Sequence, residues 1–504
     1  MEAFLSGLAM VFTVETILWL SLGEVLGIIL GALPGLTATM GIALMLPICF
    51  QLPKVTGIAM LLGVYCGAIC GASIPAILLG IPGNPNAIAT VLDGLPMTKK
   101  GLAGQALGGA VVASFIGGIG SMIVLILFSP IVARFTLAFG PAEKAALALI
   151  GLTVIASVSA KNIAKGVLTG CLGLALALMG MDPFTNSLRI PFPSLLARTP
   201  LAGGVKLVPA LIGLFGISQA FFDLERIKER QLAPPQVKIE NIFPPLKKIL
   251  QMWRIILESL GIGTLIGAIP GTGASIAVFL SYERAKKITH SPKSKLDKVG
   301  TGCLEGIFAP EVSNNAVMGG ALIPTLSLGI PGDSGTAVLL GGLLIMGIVP
   351  GHQLFEQNLS LVYGIFISLF LANLFMATFQ LLGVRIFPKV LAIPMAILIP
   401  VVIILSLIGA YAIEGQAIMA GITNMGVALL LGLIGYVLKK GDYPITPIVL
   451  GLILGGMLEE NFRRAVKLAG GNYFVFFTKP IALVFILLAL FSIVLPWLKK
   501  RSRT

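Results

Sequence analysis

The stretches 31–43, GALPGLTATMGIA, and 267–277, GAIPGTGASIA, decide how this chain is read. Each places a Pro-Gly break inside apolar sequence and follows it with small, hydroxyl-bearing residues. A second pair repeats the pattern: IPAILLGIPGN at 74–84 and IPTLSLGIPGD at 323–333. The copies are offset by 236 and 249 residues, so their order is kept and their spacing nearly so. Proline and glycine in mid-membrane free backbone groups that lipid cannot satisfy, so such breaks persist only where buried in protein or lining a cavity. Matching breaks in both halves of an apolar chain are the pattern expected of a secondary transporter.

Composition sets the class. Mean hydropathy is +1.01. Charged residues are only 11% of 504, too few to solvate a soluble surface of this size. Apolar runs recur at 106–128, 145–159, 205–222, 359–382, 390–412, 417–438 and 481–497. A run of roughly 20 residues spans the hydrocarbon core of about 30 Å. Counting the interrupted stretches, the expectation is an all-α polytopic membrane protein of about twelve segments. Net charge is +14, but the basic residues sit in short loops between apolar runs. That is the positive-inside tendency, and it argues against a nucleic-acid partner. Cys49, Cys66, Cys70, Cys171 and Cys303 show no CxxC spacing and read as packed thiols. The segment MEAFLSGLAM lacks a basic n-region and reads as membrane sequence, not a cleaved signal.

Charge along the chain suggests topology. Thirteen of 35 basic residues lie between Arg226 and Lys298, in two clusters separated by residues 255–282. A single crossing would put one cluster outside. A re-entrant hairpin broken at Pro270-Gly271 keeps both in the cytoplasm; a proline-kinked single crossing is the alternative. Around the first break the flanks are nearly free of positive charge, with Glu2 and Glu15 before it and Lys54 after. Lys99 and Lys100 follow GIPGN, whereas PGHQLFEQN follows GIPGD without a Lys or Arg. Opposite bias predicts two inverted-topology repeats with re-entrant hairpins. The expected boundaries are 1–222 for the first repeat, 223–250 for a cytoplasmic linker, 251–470 for the second repeat, and 471–504 for an extra helix with a basic tail. MGMDP at 179–183 and KGDYP at 440–444 read as matching polar breaks. Arg463, Arg464 and Lys467 conflict with this scheme, since they fall outside.

The motifs carry candidate chemistry. If helices start after Pro34-Gly35 and Pro270-Gly271, their free N–H groups and positive dipole ends can bind carboxylate. Thr37, Thr39, Thr272 and Ser275 add hydroxyl donors, and Gly273 leaves space. Small residues here also suit helix packing, and Gly27/Gly31 and Gly263/Gly267 have small-xxx-small spacing. The second motif supplies oxygen acceptors near Gly83 and Gly332: Asn84, Asn86, Asp333 and Ser334. Such oxygens suit Na⁺ better than a softer metal; the alternative is a solvated loop tip. Glu311, Asn314 and Asn315 have apolar or small counterparts in the first copy, so they are candidates for coupling and selectivity. No metal beyond Na⁺ and no organic cofactor is expected.

Enzyme readings fail on the residues. GDSG at 332–335 lacks the His and buried Asp of a serine protease, since the chain holds only His290 and His352. GIGTLIG at 261–267 has the wrong spacing for a dinucleotide fingerprint, and there is no Walker A sequence. The sequon at Asn358 is a chance match outside a eukaryotic secretory route.

With YCGAICGASIPAILLGIPGNP at 65–85 and the paired PGLT/PGTG and GIPGN/GIPGD motifs, nearly the whole chain resembles the large membrane subunit of the tripartite tricarboxylate transporters. The resemblance covers motif positions 34–39, 80–86, 270–275 and 329–334. It implies a bacterial inner-membrane permease driven by an ion gradient, Na⁺ or H⁺, importing citrate-like or other organic carboxylates. It also implies a small membrane subunit of about four helices and a periplasmic substrate-binding protein. The rival reading is a passive anion channel or a non-transporting scaffold subunit.

Overall fold

A computed structural model describes residues 1–158, 163–189, 200–225, 238–271, 273–413 and 417–501. Among these the fold is helical: α1 (Glu2–Val11), α2 (Val14–Ala32), α3 (Ala38–Cys49), α4 (Lys54–Gly71), α5 (Ser73–Leu79), α6 (Ile88–Lys99), α7 (Ala103–Phe135), α8 (Pro141–Val158), α9 (Ile163–Ala177) and α10 (Leu207–Glu225). There follow α11 (Trp253–Ala268), α12 (Gly273–Thr289), α13 (Leu304–Leu328), α14 (Ser334–Ile345), α15 (Leu359–Leu382), α16 (Met395–Ala412), α17 (Ile418–Lys440), α18 (Thr446–Leu468) and α19 (Pro480–Arg501). Seven helices among the described residues are long and apolar enough to cross a membrane, fewer than the twelve or so segments expected from apolar runs. The difference has a physical source. Breaks at Leu33–Thr37 and Gly329–Asp333 cut the apolar sequence into helices such as α3 and α14, each only 12 residues long. Residues 226–237 of the expected linker lie outside the described set.

Burial separates centre from edge. The apolar window of Lys54–Leu79 is 100% buried, against 28% for Met395–Ala412. Every residue of α13 from Leu304 to Ser327 is buried as well. A helix buried all round belongs in the middle of a bundle, so α4–α5 and α13 form the axis. Glycine lets their neighbours approach. In α2, Gly23, Gly27 and Gly31 lie against the backbones of Met60, Val64 and Ala68 of α4. In α11, Gly263 and Gly267 lie against Ser313 and Val317 of α13 in the same way.

The ends of these helices are set locally. Thr37 caps α3, accepting from the N–H of Met40 at 3.3 Å. Asp333 and Thr336 form a reciprocal capping box at the start of α14. Gly80 and Gly329 end α5 and α13 in the left-handed region, at φ 70° and 71°, where a Cβ would be strained. Pro75 explains why α4 and α5 are separate: it removes an N–H and crowds the carbonyl of Gly71, where α4 ends.

Two polar clusters tie the bundle. Asp93 of α6 is fully buried and accepts from the backbone N–H groups of Gly300 (3.0 Å), Gly302 (2.6 Å) and Cys303 (3.1 Å) and from the Tyr282 hydroxyl (2.8 Å). Arg463 of α18, which conflicts with the charge bias, pairs with Asp182 at 2.6 Å and Glu459 at 3.0 Å and lies over the Phe184 ring. Arg189 pairs with Glu459 at 2.8 Å. Two cations thus meet two carboxylates, and Arg464 pairs with Glu460. These arginines are compensated, so they carry little topological weight.

Candidate functional site

Each Pro-Gly break is held by the second motif of its own half. Chain leaving α2 is extended at Leu33, turns at Gly35 (φ 97°) and re-enters helix at Ala38. The Gly35 N–H donates to the carbonyl of Gly83 at 3.1 Å. Chain leaving α11 is extended at Ile269 and turns at Gly271 (φ 78°), whose N–H donates to the carbonyl of Gly332 at 2.8 Å. Space at these crossings is minimal. A Cβ on Gly83 would lie 2.3 Å from the Gly31 oxygen, and one on Gly332 would lie 2.4 Å from the Gly267 oxygen.

Between the halves, the bonds cross. The hydroxyls of Thr39 and Ser334 meet at 2.8 Å, and the Ser275 hydroxyl donates to Asn86 Oδ1 at 2.9 Å. First motif therefore meets second motif of the opposite half, twice. Around these pairs lies a cavity of about 480 Å³, lined by Thr37, Thr39, Asn84, Asn86, Gly271, Gly273, Ser275, Asp333 and Ser334. Its size lies within the range of roughly 300–1,000 Å³ typical of small-molecule sites. Tyr65 and Ile69 of α4, Phe215 and Gln219 of α10, and Lys439 and Tyr443–Thr446 complete the wall. Phe215 sits in a π turn of α10, Ile212–Ile217, a local irregularity that re-aims side chains.

The cavity lining carries two unlike charged groups. Asp333 Oδ1 accepts from the Thr336 N–H and hydroxyl, both at 2.7 Å, and Oδ2 accepts from the Tyr65 hydroxyl at 2.6 Å. The Lys439 ammonium donates to Gln219 Oε1 at 2.7 Å. No ion pair joins Asp333 to Lys439 among the described residues.

The residues singled out from sequence divide into two groups. Thr37, Thr39, Asn84, Asn86, Gly271, Gly273, Ser275, Asp333 and Ser334 converge on the cavity. Pro34, Gly35, Gly83 and Gly332 shape the breaks behind it, and Thr272 lies outside the described residues. Asn84 also turns inward on its own loop, where its side chain accepts from the Asn86 N–H at 3.0 Å. Glu311, Asn314 and Asn315 do not line the cavity; they are buried in α13. Glu311 accepts from the Thr90 hydroxyl at 2.5 Å and the Ser114 hydroxyl at 3.3 Å, and Asn315 donates to the Glu311 carbonyl. The amide of Asn314 has no hydrogen-bond partner among the described residues.

Sequence reasoning missed Tyr65, Gln219 and Lys439. Lys439 sits beside the polar break at 440–444 and reads as an ordinary helix-end lysine. Only its meeting with Gln219, 220 residues away, gives it a place in the site.

A family model for the tripartite tricarboxylate transporter TctA family matches residues 17–450. The chain belongs to the TctA family. An uncharacterized 52.8 kDa protein of the TAR-I ttuC' 3' region of Agrobacterium vitis is 32% identical over 476 residues, 94% of this chain and 92% of the relative. An uncharacterized protein of the TAR-II ttuC' 3' region of the same organism is 34% identical over 233 residues, 46% of this chain and 93% of that one. No solved structure matches. TctA membership makes this chain a multi-pass membrane component of tricarboxylate transport and not an enzyme, with the two other subunits of the tripartite system as partners.

Proposed function

We propose that this TctA protein is the translocating subunit of an ion-gradient-driven importer of citrate-like di- and tricarboxylates across the bacterial inner membrane. Na⁺ or H⁺ is the coupling ion. A periplasmic binding protein delivers the substrate, and a small four-helix membrane subunit accompanies it. The observation that carries this reading is the convergence of both breaks and both GIPG loops on one cavity, joined by Thr39–Ser334 and Ser275–Asn86. The starts of α3 and α12 with their hydroxyls supply anion donors. The oxygens of Asn84, Asn86, Asp333 and Ser334 supply cation ligands.

Two inverted repeats with re-entrant hairpins form the architecture of this reading. It is supported by paired local geometry: Gly35–Gly83 with Gly271–Gly332, and Gly80 with Gly329. Alternating access follows if the motif-bearing hairpins move against the peripheral helices.

Reconstituted proteoliposomes with the partner subunits test this. Accumulation of labelled citrate or another dicarboxylate above the outside concentration, requiring an inward Na⁺ or H⁺ gradient, is the expected result. Gradient-independent equilibration would make the chain a passive channel, and no flux at all would make it a scaffold.

A further inference from the structure

Lys439 belongs to neither repeated motif, yet it faces the same cavity. Among the described lining residues it is the cation, and Asp333 is the anion. Asp333 is already engaged by Tyr65 and Thr336. An ammonium has three donors and no acceptor. Lys439 uses one of them, on Gln219 Oε1 at 2.7 Å. Gln219 in turn donates through Nε2 to Asp223 Oδ2 at 3.0 Å. That second bond orients the amide, because only the NH₂ end can serve a carboxylate, so the carbonyl end must face Lys439. The ammonium is thereby held at the cavity wall by a neutral oxygen, with the Asp223 carboxylate acting on it from beyond the amide and two of its donors left for a ligand.

We propose that Lys439 binds one carboxylate of the transported anion while the donors at the Pro-Gly breaks bind another, so that the cavity selects anions bearing at least two carboxylates. Gln219 acts as the positioning residue. This rests on the carboxylate-transport reading above and adds the residue that sets substrate charge. A single carboxylate would engage only one of these two donor sets. An ammonium on a flexible stem suits this role, since it acts as a point charge without demanding one planar geometry.

The test uses the full chain in lipid nanodiscs at pH 7.5, with citrate, succinate and butyrate as probes and apparent affinity read from ligand-induced thermal stabilisation. Wild type is expected to bind citrate and succinate more tightly than butyrate. Lys439→Gln keeps a donor for Gln219 and removes the charge. It is expected to weaken citrate and succinate by on the order of 10- to 100-fold, the range for losing a charged hydrogen bond. Butyrate is expected to change by less than about threefold, because butyrate needs only the break donors. Lys439→Arg is expected to restore discrimination. Lys439→Met gives the same comparison should the glutamine variant fail to fold. Equal weakening of all three probes, or none, overturns the role of Lys439. Failure of the wild type to respond to any carboxylate instead overturns the transport reading beneath it.

Discussion

Replacing Gly332 by alanine tests whether the breaks are held as described. A Cβ there would stand 2.4 Å from the Gly267 carbonyl oxygen and 2.5 Å from Ala321 Cα. Both are backbone atoms, so no side chain can swing aside. Reaching ordinary contact needs about 1 Å of separation between the loop and the α11–α13 pair, as steric overlap of this kind forces backbone shifts. That movement also breaks the 2.8 Å bond from Gly271 N–H to Gly332 O. Overpacking costs about 1–3 kcal/mol and the bond about 1 kcal/mol. The expected loss is about 2–4 kcal/mol, or roughly 30- to 1,000-fold in the folded ratio. Gly83→Ala should behave alike, since its Cβ would lie 2.3 Å from the Gly31 oxygen. Gly456→Ala is the control, because nothing lies within 4 Å of its Cβ position. In mid-helix it should be neutral or stabilising by up to about 1 kcal/mol. Unfolding of the three purified variants in mixed micelles, followed by circular dichroism, measures this. If Gly332→Ala unfolds with Gly456→Ala, the close crossing of break and loop is wrong.

Asp333→Asn preserves a capping acceptor and removes the charge. Stability should fall by about 1–3 kcal/mol, because an amide NH₂ replaces the Oδ2 acceptor of the buried Tyr65 hydroxyl, while uptake loses its cation dependence, read as flux against Na⁺ concentration; unchanged dependence would remove Asp333 from the coupling site. Asp93→Ala leaves the buried backbone N–H groups of Gly302 and Cys303 and the Tyr282 hydroxyl without an acceptor, so a loss of about 3–5 kcal/mol and poor folded yield are expected on size-exclusion chromatography. A well-folded Asp93→Ala protein would contradict that anchor. Arg463 beside Asp182, with the N–H groups of Phe184 and Thr185, holds the Asp182 carboxyl well below the usual carboxylate range. A lowered folded-state value means stabilisation that is full above the unfolded value of about 3.9 and lost as pH falls toward the lowered one. The melting difference between wild type and Asp182→Asn should therefore hold from pH 7 to about 5 and shrink below about 4. A constant difference down to pH 3 would mean the ion pair is not its source.

Much of the site was legible because its constraints are local. A Pro-Gly break in apolar sequence needs buried partners, and Gly35, Gly83, Gly271 and Gly332 find them within their own halves. Hydroxyls placed two to four residues beyond each turn, such as Thr39 and Ser275, face the space the break creates. Glu311, Asn314 and Asn315 were picked out by being polar where their counterparts are not. Where a polar side chain on a helix buried all round points depends on its neighbours, and α6 and α7 draw Glu311 to Thr90 and Ser114, away from the cavity. Arg463 misled in the opposite way, because its partner Asp182 lies 281 residues away in the chain.

Taken alone, the residue order determined that this is a membrane-spanning helical protein with two pairs of matched breaks, since hydropathy and turn chemistry act over a few residues. Which first motif meets which second motif was decided only when the chain folded. Thr39 reaches Ser334 and Ser275 reaches Asn86 because α4–α5 and α13 occupy the same buried axis. The same packing brings Lys439 to Gln219 and places an ordinary helix-end lysine in the cavity lining. Contacts between residues hundreds of positions apart depend on how helices pack, and no local pattern records them.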